Sequence, residues 1–80
     1  MPNSRYSAAE TARRGDEIYE RIRPELEGKY DGKVVAIDVD TGFYALGDAA
    51  WAAAEPVLAR NPAAEVWFVR VGQRAFARIG

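Results

Sequence analysis

Two strand–turn–strand patterns, each preceded by a stretch of helical periodicity, constrain the fold of this chain more than any other feature. In the first pattern, a run rich in β-branched residues spans residues 34–40, and a second run spans residues 43–47. Thr41 and Gly42 lie between the runs and suit a two-residue turn. The sequence therefore predicts an antiparallel hairpin over residues 34–47.

This turn sets the predicted register, with Asp40 opposite Phe43 and Val39 opposite Tyr44. Because side chains alternate between the two faces of a strand, the register also sorts the residues by face. The predicted core face carries Val35, Ile37, Val39, Tyr44 and Leu46, and the predicted outer face carries Val34, Ala36, Asp38, Asp40, Phe43 and Ala45.

The second pattern consists of strands over residues 65–71 and 75–79, joined by a loop of residues 72–74. A three-residue loop pairs Val71 with Ala75, Val69 with Ala77 and Trp67 with Ile79, which makes one face wholly apolar. The opposite face then carries Phe68, Arg70, Phe76 and Arg78.

The first helical stretch begins with a capping box, in which Ser7 and Glu10 bond each other's backbone N–H groups. Ile18, Ile22 and Leu26 follow at four-residue spacing, which predicts an amphipathic helix. A glycine and a proline interrupt this stretch, so we place the firm part of the helix at residues 16–23 and expect residues 1–15 to fray.

The second helical stretch is predicted from Ala49 to about Arg60, with Asp48 as the N-cap. Pro56 lies inside it and predicts a bend near Ala53, because an interior proline removes a helical hydrogen bond. Trp51 lies on the side that carries the apolar residues of this stretch. We expect Trp51, and Trp67 of the third strand, to be core residues.

Together these elements predict one α+β domain over residues 1–80, in the order α-β-β-α-β-β. The expected sheet is four-stranded and mainly antiparallel, is made of two hairpins, and has the second helix packed on one face. The first helix is expected either to join the second or to cross to the other face.

The chain contains no Cys and no His, which excludes disulfides, zinc fingers, Cys nucleophiles and His-based catalytic triads. No window approaches 18 consecutive apolar residues, and the first residues lack the apolar segment of a secretory signal. We therefore expect a cytoplasmic protein that does not enter a membrane and holds no cofactor or metal.

The sequence Asp38-Val39-Asp40-Thr41-Gly42 resembles two catalytic motifs. The Asp-x-Asp of haloacid-dehalogenase phosphotransferases needs a parallel sheet, and the Asp-Thr-Gly of aspartic proteases belongs to a nearly all-β fold. Asp ahead of a Thr-Gly turn is also ordinary hairpin chemistry, which is the interpretation we favour. We expect no enzyme, and keep a metal-dependent hydrolase on Asp38 and Asp40 as an alternative.

Arginines and aromatic residues are the candidate contact surface: Phe43, Phe68, Arg70, Phe76 and Arg78. From residue 60 to the end there are four Arg and one Glu, whereas residues 25–55 contain seven acidic residues and two Lys. Arginine beside aromatics on a sheet face is how proteins bind single-stranded nucleic acid. Two other interpretations are a solvated face of Asp–Arg pairs and a face covered by another chain or by the first helix.

Residues 32–44, Gly47-Asp48 and residues 64–72 carry a pattern of G-K-hydrophobic-V-A-I-D, T-G-x-Y, G-D and V-R-V-G. In this pattern the chain resembles a family of short bacterial proteins of unknown function, over roughly residues 16–80. The resemblance implies a small companion protein, of the kind found beside genes for retropepsin-like proteases and toxin–antitoxin pairs. It implies no catalytic residues.

The functional prediction is a non-catalytic protein–protein interaction module, such as a regulatory companion or an antitoxin-like partner. Its expected partner is another protein chain, either a second copy in a homodimer or a companion protein. The alternative is a domain that binds single-stranded nucleic acid through the Arg and Phe side chains.

Overall fold

The computed structural model describes residues 6–73 in full and residues 75–79 as a backbone strand. Its elements, in chain order, are α1 (Ala8–Leu26), β1 (Val34–Asp38), β2 (Tyr44–Gly47), α2 (Ala50–Arg60), β3 (Val66–Arg70) and β4 (Ala75–Ile79).

Helix α1 is longer than the sequence predicted. Ser7 caps it, because its Oγ accepts a hydrogen bond from the Glu10 backbone N–H at 3.1 Å. The helix then runs unbroken through Pro24 to Leu26, and it begins at Ala8 rather than at residue 16. The Glu10 carboxylate bonds Arg13 and Arg14.

Helix α2 lacks the predicted side-chain cap. Its N-cap is Ala49, which makes no side-chain capping bond, because the Asp48 carboxylate instead pairs with Lys33. The helix continues through Pro56 as one element, so the predicted bend near Ala53 does not divide it.

The predicted sheet requires correction. Strand β1 pairs antiparallel with both β2 and β3, and the strand order is β2-β1-β3-β4. The side chains described in the sheet belong to a three-stranded antiparallel unit, β2-β1-β3, that lies between two helices; β4 follows β3 as backbone only. The predicted fold, a four-stranded sheet made of two tightly turned hairpins, is therefore wrong.

The register of β1 with β2 is displaced by two residues from the prediction. Ile37 pairs with Tyr44 rather than with Leu46. The reason is a wider loop of residues 39–43, in which the Asp38 N–H donates to the Phe43 carbonyl at 2.8 Å and the Gly42 N–H donates to the Asp38 carbonyl at 2.8 Å. Because the displacement is an even number of residues, Ile37 and Tyr44 still share a face.

The register of β3 with β4 also differs. Val69 pairs with Ala75 and Phe68 with Ala77, with an irregularity between Phe68 and Val69, whereas the prediction paired Val69 with Ala77. Trp67 is the register partner of Arg78, so Arg78 does not share a row with Phe68.

Two separate cores cover the two faces of the sheet. On one face, α2 packs Ala53, Ala54 and Val57 onto Val34, Ala36, Val66 and Phe68. On the other, α1 packs Ile18, Tyr19 and Leu26 onto Val35, Ile37, Val69 and Val71. The first helix therefore crosses to the opposite side from α2, and Val34 and Ala36 of the predicted outer face are buried beneath α2.

Two glycines allow the helices to approach the sheet closely. A Cβ at Gly15 of α1 would lie 2.1 Å from Cδ1 of Trp67 and 2.6 Å from its Cβ. A Cβ at Gly47 would lie 2.6 Å from the backbone nitrogen of Ala53 in α2. Real Cβ contacts are never this short, so each glycine fixes the spacing between one helix and one strand.

Candidate interaction surface

The fold separates the residues predicted as a contact surface. Phe68 is 1% exposed and lies in the core beneath α2, so it cannot contact a partner in this fold. Phe43 is half-buried at one end of β2, and Arg70 is half-buried at the opposite end of β3. The side chains of Phe76 and Arg78 lie outside the described residues.

The two half-buried residues of that set have defined contacts. The Arg60 guanidinium lies over the Phe43 ring, 4.4 Å from its centroid, which is a cation–π contact that links the end of α2 to the loop before β2. Arg70 donates from Nη1 to the Gly32 carbonyl at 2.9 Å. The structure therefore does not join Phe43 and Arg70 into one patch.

Trp51 is a large apolar side chain that lies on the surface although the sequence interpretation expected it in the core. It is 73% exposed, whereas the prediction put it in the core. The helix turns Ala53, Ala54 and Val57 toward the sheet instead, because these small residues let α2 approach the backbone of Gly47. The signal that could have found this is the small size of the residues at positions 53 and 54, which suits close helix–sheet contact.

The buried Asp38 carboxylate is held by hydrogen bonds within the fold. It is 2% exposed, and its Oδ1 accepts from the Asp40 backbone N–H at 2.9 Å, while its Oδ2 accepts from Nδ2 of Asn61 at 3.4 Å. These bonds hold the loop between β1 and β2 and tie it to the end of α2, which is the hairpin role that the sequence favoured. Within residues 6–73, no three acidic side chains converge as a metal site.

A groove of about 670 Å³ runs between α1 and β3, with Tyr19 and Trp67 among its lining residues. The Tyr19 hydroxyl donates to Oε2 of Glu27 at 2.9 Å and accepts from the Gly72 N–H at 3.3 Å. Burial raises the pKa of Tyr19 above its ordinary value. The bond from Gly72 fastens α1 to the turn that follows β3, and the bond to Glu27 ties Tyr19 to the end of its own helix.

The charges on α1 pair with one another along the helix. Arg13 bonds Glu10 through Nη2 at 2.6 Å, and this bond holds the pKa of Glu10 below its ordinary value. Arg23 bonds Glu20 at 3.0 Å and Glu27 at 3.1 Å, and the Glu27 bond raises the pKa of Arg23. Exposed ion pairs at helical spacing are typical of a helix face in contact with solvent, which is how we interpret this face of α1.

Opposite charges mark the two ends of β2. Arg60 stacks on Phe43 just before the strand, and Asp48 follows directly after it. The hydrogen bond from Lys33 lowers the pKa of Asp48, so this carboxylate stays ionised over a wider pH range. Its side chain is nevertheless 84% exposed and open to a further contact.

Comparisons with family models, curated proteins and solved structures give no significant match to the chain. The resemblance to short bacterial proteins therefore stays a prediction. In the described part of the chain, neither helix is long and apolar enough to cross a membrane.

Proposed function

We propose that this chain is a non-catalytic protein–protein interaction module that acts as a regulatory companion of another protein. The observation that supports this function best is the exposure of Trp51, at 73% of its side chain, on the surface of α2. The lack of Cys suits a reducing compartment, and we propose the cytoplasm as its location.

An exposed Trp stabilises a protein complex more than it stabilises a free monomer. Tryptophan buries about 150–250 Å² when it is covered, and it is enriched among the residues that dominate binding energy at protein interfaces. In the free chain this area faces water, where it contributes nothing to folding. The position of Trp51 on a helix anchored by Ala53 and Val57 presents it on a rigid support.

The surroundings of Trp51 suit a protein partner better than a nucleic acid. Glu55 is exposed on the same helix, and Asp48 precedes the helix, so acidic groups flank the Trp. Phosphate contacts need a concentrated basic patch. One aromatic residue of the predicted nucleic-acid surface, Phe68, lies in the core and offers no face on which a base could stack.

Site-specific photo-crosslinking tests the proposal. The photoreactive amino acid p-benzoylphenylalanine replaces Trp51 in the full chain, which is then irradiated inside the cells that produce it. A matched chain carries the same amino acid at Tyr30, an aromatic residue that is 43% exposed. We expect a discrete protein adduct from position 51 and none of that mass from position 30.

Two outcomes would contradict the proposal. One is that position 51 gives no protein adduct although the chain is folded and abundant. The other is that positions 51 and 30 give the same set of adducts, because the crosslinks would then report random collisions. Mass spectrometry of a specific adduct identifies the partner.

A further inference from the structure

Strand β2 lies at an edge of the sheet with part of its backbone turned away from it. β1 is its neighbour on one side, and among the strands of the described residues none lies on the other. The Phe43 carbonyl accepts from the Asp38 N–H at 2.8 Å, so the backbone of Phe43 faces β1. Backbone groups alternate in direction along an antiparallel strand, and therefore Tyr44 and Leu46 direct their N–H and C=O groups outward.

The hydrogen bonds on the other side of β1 agree with this assignment. The Val39 N–H donates to the Glu65 carbonyl at 3.0 Å, and the Val71 N–H donates to the Lys33 carbonyl at 2.8 Å. Odd-numbered residues of β1 thus bond toward β3, and even-numbered residues bond toward β2. Because Ala36 pairs with Ala45 and Val34 with Gly47, the odd-numbered residues of β2 face β1.

This edge has few of the features that prevent an edge strand from pairing with a strand of another chain. Natural edge strands are protected by charged side chains, prolines or bulges, and β2, with the sequence Tyr-Ala-Leu-Gly, contains none of these. Its protection is its short length alone. Tyr44 and Leu46 are half-buried and pack against the core beneath α1, so the edge is also apolar on that face.

We propose that a second copy of this chain pairs with this edge, β2 against β2, in antiparallel orientation about a two-fold axis through Ala45. The inference rests on the proposed function, because it takes the chain to be an interaction module, and it names one partner and the strand that binds it. In this register Tyr44 of each copy lies opposite Leu46 of the other, and Ala45 meets Ala45 at the axis.

In this register each outward N–H and C=O group of Tyr44 and Leu46 has a hydrogen-bond partner in the second copy. Each Tyr44 exchanges N–H···O=C bonds with Leu46 of the second copy, and the two-fold axis repeats the exchange. Tyr44 and Leu46 share a face, so the pairing also joins their side chains into one apolar cluster. Ala45 is small, which allows the close approach that the axis requires.

The charges at the ends of β2 favour the same arrangement. Arg60 lies at the Phe43 end, and Asp48 lies at the Gly47 end. Antiparallel pairing brings the Arg60 end of one copy beside the Asp48 end of the other, where the carboxylate already pairs with Lys33 but is 84% exposed and can accept a second cation; the two-fold axis repeats this contact. This self-complementarity selects a second copy over an unrelated strand, and it predicts that salt weakens the dimer.

A cysteine at the axis tests the register directly, because the chain contains no Cys of its own. Residues opposite each other in a non-hydrogen-bonded antiparallel pair have Cβ atoms about 4.5–5.5 Å apart, close to the range of a disulfide. The purified full chain with Ala45→Cys is oxidised mildly and examined on a non-reducing gel. Tyr30→Cys, at a surface position 43% exposed, is the matched control.

We expect Ala45→Cys to become a covalent dimer while Tyr30→Cys stays monomeric under the same conditions. The inference is overturned if Ala45→Cys stays monomeric, or if both variants crosslink at the same rate. The result is independent of Trp51, so crosslinking from position 51 without disulfide formation at position 45 would leave the proposed function and remove only the second-copy dimer. Disulfide formation at position 45 without a partner at Trp51 would support the second-copy dimer and remove Trp51 as the contact site.

A second pair of variants tests the hydrogen bonds without a disulfide. Leu46→Pro removes an N–H that the register directs away from β1, and prolines are tolerated at such edge positions. Leu46→Ala shortens the side chain but keeps the N–H. By light scattering on a size-exclusion column, we expect Leu46→Pro to be monomeric at concentrations where Leu46→Ala is still dimeric, with circular dichroism confirming that both are folded. Equal dimerisation of the two variants contradicts the pairing.

Discussion

The contact between Gly15 and Trp67 allows a quantitative prediction for Gly15→Ala. On an unconstrained helix this substitution stabilises by about 1 kcal/mol, because alanine has the higher helix propensity. Here the new Cβ would lie 2.1 Å and 2.3 Å from ring atoms of Trp67 and 2.6 Å from its Cβ. Since rotating the ring cannot move the Trp67 Cβ, α1 itself has to shift away from the sheet.

Forcing extra volume into a packed contact costs about 1–3 kcal/mol, and a shift of the whole helix belongs at the upper end of this range. Subtracting the gain in helix propensity leaves a net destabilisation of about 2 kcal/mol. For a domain of this size that corresponds to a decrease in Tm of roughly 8–16 °C. Urea unfolding followed by circular dichroism gives the free energy of unfolding directly.

Two comparisons isolate the contact from helix propensity. Glu17 is exposed on the same helix, so the difference between Glu17→Ala and Glu17→Gly measures the propensity alone. In a Trp67→Ala background the two shortest contacts are absent, and we expect Gly15→Ala to cost less than about half as much there. If Gly15→Ala stabilises the chain by the amount measured at position 17, the close approach of α1 to Trp67 is wrong.

Three further predictions concern other contacts. Gly47→Ala should destabilise by about 2–3 kcal/mol in urea unfolding, because its Cβ would meet the α2 backbone at 2.6 Å; an unchanged midpoint would contradict the packing of α2. Ser7→Ala should cost about 1 kcal/mol through loss of the cap, and Ser7→Asp should restore it in the same assay. Tyr19→Phe should cost about 1 kcal/mol. Because the pKa of Tyr19 is raised in the folded chain, its contribution is complete below the unfolded pKa, about 10, and is lost as the pH rises through the folded value. The alkaline loss of stability should therefore be smaller in Tyr19→Phe, and an identical alkaline profile would count against this role.

Features that depend only on residues close together in the sequence were predicted well. The Ser7 cap is confirmed, because a capping box depends on neighbouring residues alone. The class of the fold, α+β, also follows from the alternation of helical and strand periodicity. The length of α1 was underestimated, since tertiary packing holds a glycine and a proline inside it, whereas the predicted bounds of α2 agree with the structure to within one residue.

The layering of the sheet could not be derived from the sequence. Both faces of β1 are apolar, with Val34 and Ala36 on one and Val35 and Ile37 on the other, so alternation gives no sign of which face meets which helix. The prediction placed Phe68 outside because arginines share its row. Burial beneath α2 depends on how that helix packs on the sheet, and its close approach to Gly47 is a tertiary contact that periodicity does not report.

The candidate surface was missed for the same reason. Trp51 follows the apolar spacing of α2, yet it is 73% exposed, because the helix presents its alanines to the sheet. Size rather than hydrophobicity decided the orientation, and hydrophobic periodicity does not distinguish the two. Of the predicted contact residues, Phe43 and Arg70 remain partly accessible, but at opposite ends of the sheet.

The alternating bonds of β1 have a consequence for hydrogen–deuterium exchange. Every side chain of this strand is buried, and its even-numbered amides bond toward β2 while Val39 and the odd-numbered positions bond toward β3. Amides exchange only when their own hydrogen bonds open. Ala36 and Ile37 are neighbours in the chain. The rate of deuterium uptake at Ala36 would nevertheless report the opening of the β2 edge, and the rate at Ile37 would report the separation of β1 from β3.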